Sequence, residues 1–369
     1  MSEKIRHGTL GGGAWIGNRP SCYTPAQTLR YLNFIKLDLG ISEDDISKGS
    51  VPTSLEHLTL LVQRSLLAIS WENTSMHYSE KHSMDVSPLG MYEHAVVRRK
   101  GGSYCFGLNS MLVNVLLALG YRAYSGAARV RESIIPTETE TYTTLSHEVI
   151  FVQPVPQSNT TYLVDIGFGS AGLVRPILLS NQESNEVHGV CSSELHRLTR
   201  APFELSSIDT NKGASHEIKW HLEVLRQHSG KDDPSEPRWR TLYAFSEEEF
   251  YPKDFEAASF VASQMPSPKG LFWSNLVAVR LFVLKDLGLL GLGQIGHGRI
   301  EETGSGFDMA RMILIGRELK CNIGDGTILI KTFSNEAERI NTLRDVFGVA
   351  LDDNDSEYIV GRAAAIVAT

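Results

Sequence analysis

Residues 101–121, GGSYCFGLNSMLVNVLLALGY, constrain the fold more than any other stretch. Leu108, Met111, Leu112, Val115, Leu116 and Leu119 recur at spacings of three and four, which predicts one apolar face of a helix ended by Gly120. Such a helix is stable only where that face is covered, so the chain must supply partner layers. From about Pro25 to Gly120 the same spacing recurs, as in Leu55, Leu58, Leu61 and Val62, and predicts a helical bundle. From Ala123 to about Val224 it gives way to short alternating runs, residues 147–152 and 162–166, broken by Pro, Ser and Asn; these predict sheet or barrel. Two polar stretches follow, residues 180–193 and 227–240, the second read as an exposed loop and domain boundary. Beyond them, residues 309–315 and 327–333 read as strands, then a helix with Asn335 at its start, Glu338 three residues on and Gly348 past its end. The last third is therefore mixed α/β.

Charge and cysteine usage narrow the function. With 43 acidic against 35 basic residues the net charge is -8, so no global positive field exists to hold nucleic acid or anionic lipid. Four scattered cysteines, with no Cys-x-x-Cys pair, exclude a disulfide scaffold and give no metal-ligand spacing; a reducing compartment fits. No signal-like start and no run of about 18 apolar residues occurs, so a cytoplasmic protein away from membranes is expected.

Three residues form a candidate constellation. Cys105 falls in the first turn of the predicted helix, where the positive end of the dipole and free amides favour a thiolate, and Gly101 and Gly102 are expected to leave its approach open. His147 sits in LSHEVIFV, read on one face with Leu145, Val149 and Phe151, where an imidazole needs a partner. Asp165, in YLVDIGFG, has apolar neighbours and no nearby cation in sequence. If residues 154–159 close a hairpin between the two runs, His147 and Asp165 have the parity to share a face. Nucleophile, base and orienting carboxylate then follow in the order Cys, His, Asp. Such a triad suits acyl transfer and proteolysis alike, since both begin with thiolate attack on a carbonyl.

Four segments carry a family resemblance: ISWENTSMHY (69–78), RRKGGSYCFGLN (98–109), SHEVIFV (146–152) and VDIGFGSAG (164–172). In this order they resemble the arylamine N-acetyltransferases, with weaker similarity at residues 242–263 and 347–351, and the tail and insertions resemble fungal members. The resemblance implies an α+β fold of three domains with a papain-like and transglutaminase-like cysteine core: a helical bundle over 1–121 carrying the nucleophile, a β-barrel over 122–240 with His and Asp, and an α/β lid over 241–369. It implies a ping-pong enzyme in which an acyl-CoA acylates Cys105 and an arylamine, arylhydrazine or N-hydroxyarylamine removes the acyl group. His147 would be the base and Asp165 its partner; Phe168 and Val130 match positions lining the aromatic acceptor pocket, and Thr143 and Thr144 positions near the pantetheine of CoA. No metal is implied. Lys100 stands where the family has Arg, and Ser103 reads as an insertion that changes the turn before Cys105. Some fungal members use malonyl-CoA, which leaves the donor open among acetyl, propionyl and malonyl. The alternatives are an amide-cleaving or cross-linking enzyme with the same triad, or a non-catalytic binder of acyl-CoA or aromatic ligands. GLGQIG (291–296) has dinucleotide-binding spacing, but glycines at 298, 304 and 306 break any helix after it, so it reads as a glycine-rich loop.

Overall fold

The computed structural model describes residues 6–132, 141–208, 218–226, 239–267, 270–284, 309–324 and 326–366. Local capping sets where the early helices begin. Thr24 and Gln27 exchange bonds at the head of α1 (Pro25–Phe34), Ser42 and Asp45 do so at α2 (Glu43–Lys48), and Ser54 caps α3 (Leu55–Ala68). Leu58, Leu61, Val62 and Ser65 of α3 are fully buried, as their spacing predicts. After the short β1 (Trp71–Glu72), α4 (Thr74–His77) and α5 (Pro88–Tyr92), the long run becomes α6 (Cys105–Ala118), with Gly120 in the left-handed region at φ 87°. α6 is buried all round its first nine residues rather than on one stripe, because helices cover one side and a sheet the other.

That sheet has eight strands in the order β5-β4-β3-β2-β9-β8-β7-β6. They are β2 (Arg122–Arg131), β3 (Tyr142–Gln153), β4 (Tyr162–Val164), β5 (Ile177–Leu178), β6 (Glu186–His188), β7 (Glu194–Pro202), β8 (Ile218–Arg226) and β9 (Arg240–Phe245). The alternation of β2 explains how α6 comes so close. Tyr124, Ala128 and Val130 face the interior of the sheet, while the small Ala123, Ser125 and Ala127 face the helix. β3 is buried on both faces: Val149 and Phe151 point inward, Ile150 and Val152 toward α6. Leu145 departs from its expected face and is 37% exposed. The register slips so that His147 pairs with Ala128 and Leu145 with Arg129, a bulge that turns Leu145 out.

The N-terminal segment adds to the β5 end of this sheet. Gly8 bonds to Leu179 and Thr161 beside β5 and β4, and Leu10 and Ile16 enter the interior cluster. The polar stretch 180–193 is no free loop: it contains β6, and Val190 is buried and bonded to Met309.

α7 (Pro252–Gln264) and α8 (Leu271–Ser274) lead to a second sheet, in the order β1-β10-β11-β12-β13. Its later strands are β10 (Val277–Val283), β11 (Met309–Ile315), β12 (Glu318–Ile323) and β13 (Gly326–Thr332), then α9 (Glu336–Asp345), capped by Asn335 through the Glu338 amide. β1, from the helical part, pairs with β10, so the first and last thirds share a sheet. Residues 291–296, 303–306 and most of the stretch 227–240 lie outside the described residues.

Candidate active site

Cys105 opens α6, 5% exposed, with its Sγ 3.7 Å from the Ser146 carbonyl oxygen on β3. Tyr104 at the cap position makes no side-chain cap bond, so the first-turn amides remain oriented at the thiol end of the helix. The two glycines before Cys105 serve packing rather than access. A Cβ on Gly102 would lie 1.6 Å from the Ser70 carbonyl oxygen, and Gly101 adopts φ 134° beside the Glu72 carboxyl. Ser103 bridges Trp71 in parallel, and its carbonyl accepts from the Glu72 amide, which fixes the turn into the helix. Behind the cysteine, a Cβ on Gly167 would sit 2.5 Å from the Cys105 Cα, so only glycine lets this backbone approach.

His147 and Asp165 meet as their parity predicts. β3 and β4 are antiparallel with Ile150 opposite Val164, which puts Asp165, just past β4, on the same face as His147 and one pair away along it. Nε2 of His147 lies 2.7 Å from Oδ2 of Asp165, and both residues are 3% exposed or less. With Nε2 so engaged, Nδ1 is the ring nitrogen left to exchange a proton with the thiol.

Asp165 accepts three further bonds: from Tyr243 Oη at 3.1 Å, Asn109 Nδ2 at 3.0 Å and the Gly167 amide at 2.8 Å. Burial alone would push its carboxyl up; the His147 charge and hydrogen bond, then Asn109 and Gly167, outweigh this and hold it below the ordinary carboxylate range. For His147 burial would likewise favour the neutral ring, but Asp165, and then Cys105 as bond partner and charge, raise it above the ordinary imidazole value. The environment thus favours imidazolium beside carboxylate, the state that stabilises a neighbouring thiolate.

Sequence reasoning missed two partners. Asn109, four residues beyond Cys105 on the same helix face, donates to Asp165 and to the Glu148 carbonyl and accepts from the Ile166 amide. That spacing was the available signal. Tyr243, 78 positions from Asp165, had none. Glu148, read only as part of an alternating strand, is fully buried.

The other candidates separate. Phe168 stands edge-on to the His147 ring at 5.2 Å and also meets Tyr243. Val130 packs inside the barrel sheet opposite Tyr243. Thr143 spends its hydroxyl locally, accepting from the Val130 amide and Ser146 Oγ, and Thr144 is exposed. Glu72 and Asn73 are fully buried: Glu72 accepts from the Thr74 amide, while Asn73 ties the Phe272 and Asn275 carbonyls and the Val277 amide to the helical part. All four cysteines are unpaired. Clefts of about 400 and 340 Å³ lie beside Ser103 and Ser259, neither lined by Cys105.

The sequence profile of a family described as N-acetyltransferase matches residues 54–291. An N-malonyltransferase of Fusarium pseudograminearum is 26% identical, covering 92% of this chain and 93% of that protein. An arylamine N-acetyltransferase of Mycobacterium tuberculosis is 28% identical over 86% of this chain and 91% of its own length. The solved structure of Mycobacterium marinum arylamine N-acetyltransferase in complex with CoA superposes with a TM-score of 0.62 at 23% identity, covering 91% of this chain and 96% of that one.

Proposed function

The chain belongs to the arylamine N-acetyltransferase family and is an acyltransferase, and from that premise we propose that it works by ping-pong transfer through an acyl-thioester on Cys105. The observation that carries this reading is the helix-head thiol facing a strand whose His147 is locked 2.7 Å from a four-bonded, buried Asp165. His147 takes the thiol proton at Nδ1, and the thiolate attacks the carbonyl carbon of an acyl-CoA. A new carbon–sulfur bond forms, the bond to the CoA sulfur breaks, and CoA leaves as the thiol with the proton from the imidazolium. In the second half an aromatic amine or hydrazine attacks the thioester carbon; a carbon–nitrogen bond forms, the carbon–sulfur bond to Cys105 breaks, and neutral His147 accepts the proton the nitrogen sheds, which restores the thiolate–imidazolium pair. Asp165 keeps the imidazole in the tautomer with Nδ1 free and stabilises its charged form; Asn109 and Tyr243 orient Asp165.

Phe168, edge-on to His147, gives the aromatic acceptor a surface beside the base. The named relatives transfer malonyl and acetyl groups, so both, with propionyl, are candidate cargo here. Intact mass after brief mixing with acetyl-CoA, propionyl-CoA or malonyl-CoA tests the reading. A gain of one acyl group, absent from Cys105→Ala, is expected and identifies the donor. No gain with any donor in folded protein would sink it in favour of amide hydrolysis or ligand binding.

A further inference from the structure

One buried acid next to the triad is left unused by this chemistry. Glu148 follows His147 on β3 but points the other way, into the seam between the barrel sheet and α6, and is fully buried. Its Oε2 accepts from Ser110 Oγ on α6 and its Oε1 from Ser125 Oγ on β2, each at 2.8 Å. Its own carbonyl accepts from Asn109 Nδ2 at 2.6 Å. Opposite it on β2 lies Ala127, a member of the same buried cluster as Cys105. Among the described residues no Lys or Arg pairs with the carboxyl; the charged groups acting on it are His147 and Asp165.

We propose that Glu148 is a positioning residue for acyl transfer, clasping α6 to β2 so that Cys105 at the helix head is held in register with His147 on the same strand as the clasp. The inference rests on the acyl-transfer reading above. The nucleophile and the base come from different elements, and the error between them is set by how the helix seats on the sheet. Ser110 is about a turn and a half from Cys105, so a bond there controls both the axial slide and the rotation of the helix. A displacement of about 1 Å at a reacting pair costs about 100-fold in rate.

The clasp works as a neutral acid. Burial pushes the carboxyl up to about 8, with the two serines and the His147 charge restraining the rise. Protonated, the carboxyl still accepts from one serine hydroxyl and, once the other hydroxyl rotates, donates to it. Ionised, it adds a second negative charge near His147 and leaves a buried carboxylate with no Lys or Arg paired to it among the described residues. The linkage has a definite sign. A carboxyl raised in the folded state holds its proton where the unfolded chain has released it, so stability is greatest below about pH 4.5 and declines as pH rises to about 8.

The test uses the full chain, acetyl-CoA and malonyl-CoA as probes, acylation rates by quenched intact mass from pH 6 to 9.5, and melting temperatures over the same range. Glu148→Gln, which can bond both serines without a titratable proton, is expected to acylate within about threefold of wild type at pH 7 and to melt higher at pH 8. Glu148→Ala is expected to be about 100-fold slower with little change in donor KM. Should Glu148→Ala fail to fold, Ser110→Ala and Ser125→Ala each remove one anchor and are expected to slow acylation about tenfold. A Gln variant as slow as Ala, or Ala and Ser variants as fast as wild type, would overturn the clasp while leaving the acyltransferase reading standing. Wild-type protein that takes no acyl group from any donor would overturn both.

Discussion

His147–Asp165 at the head of α6 and Glu194–Arg311 between the two sheets are both buried ion pairs with a 2.7 Å contact. Arg311 on β11 grips both oxygens of Glu194 at the start of β7, and Arg226 on β8 adds a third bond at 3.0 Å. Burial would raise Glu194, but the Arg311 charge and hydrogen bonds outweigh it and hold the carboxyl far below its ordinary range. A guanidinium does not release its proton, so this pair only fastens one sheet to the other. The imidazole of the first pair can give up its proton, and a thiol stands beside it. Similar burial and similar geometry therefore yield a fastener in one place and a proton-transfer site in the other, according to whether the cation can titrate.

Four experiments can break that contrast, taken from the largest effect to the smallest. Asp165→Asn should lower the acylation rate by about ten-thousand-fold, through the wrong imidazole tautomer, while the protein stays folded by circular dichroism. A variant that keeps more than a tenth of the wild-type rate would remove Asp165 from the mechanism. Arg311→Ala should cost about 3–5 kcal/mol in denaturant unfolding by stranding a buried carboxylate, with the acylation rate of the folded fraction unchanged. A rate loss as large as that of Asp165→Asn would show that the fastener is part of the chemistry.

Tyr243→Phe, which removes one of the bonds to Asp165, should slow acylation about 5- to 30-fold with a small change in melting temperature. Melting temperature against pH gives the finest discrimination. Asp165 and Glu194 are both depressed, so each contributes stability that is present above about pH 4.5 and lost as pH falls. His147 is raised, so its contribution is full below about pH 6.5 and is lost as pH rises through its folded value. Asp165→Asn should therefore alter the acid and alkaline limbs, and Arg311→Ala only the acid limb. Equal changes on the alkaline side would erase the distinction between the two pairs.

Much of the architecture was legible from local patterns. The spacing in residues 105–121 marked α6 and placed Cys105 at its head, and the strands at 309–315 and 326–332 and the Asn335 cap follow the expected positions. The parity argument that brought His147 to Asp165 holds in the observed register. Other readings failed for identifiable reasons. Leu145 left its face because a bulge breaks the period of two, and Gly101 and Gly102 prove to be contact points for Ser70 and Glu72 rather than an open approach. Two-residue β1 carries too little pattern to announce itself, although it joins the first third to the last.

By itself the sequence determined what depends on neighbours a few positions apart: helix and strand periods, caps, and the thiol at a helix start. Only the tertiary structure decided where the polar side chains find partners. Glu148 carries no local sign of what it meets, and small Ser125 and Ala127 on β2 let α6 cover it. Tyr243 reaches Asp165 from a strand 78 residues away, and Arg311 reaches Glu194 across 117. A buried polar group is stable only when its bonds are met, and which distant element meets them is settled by how sheets and helices stack.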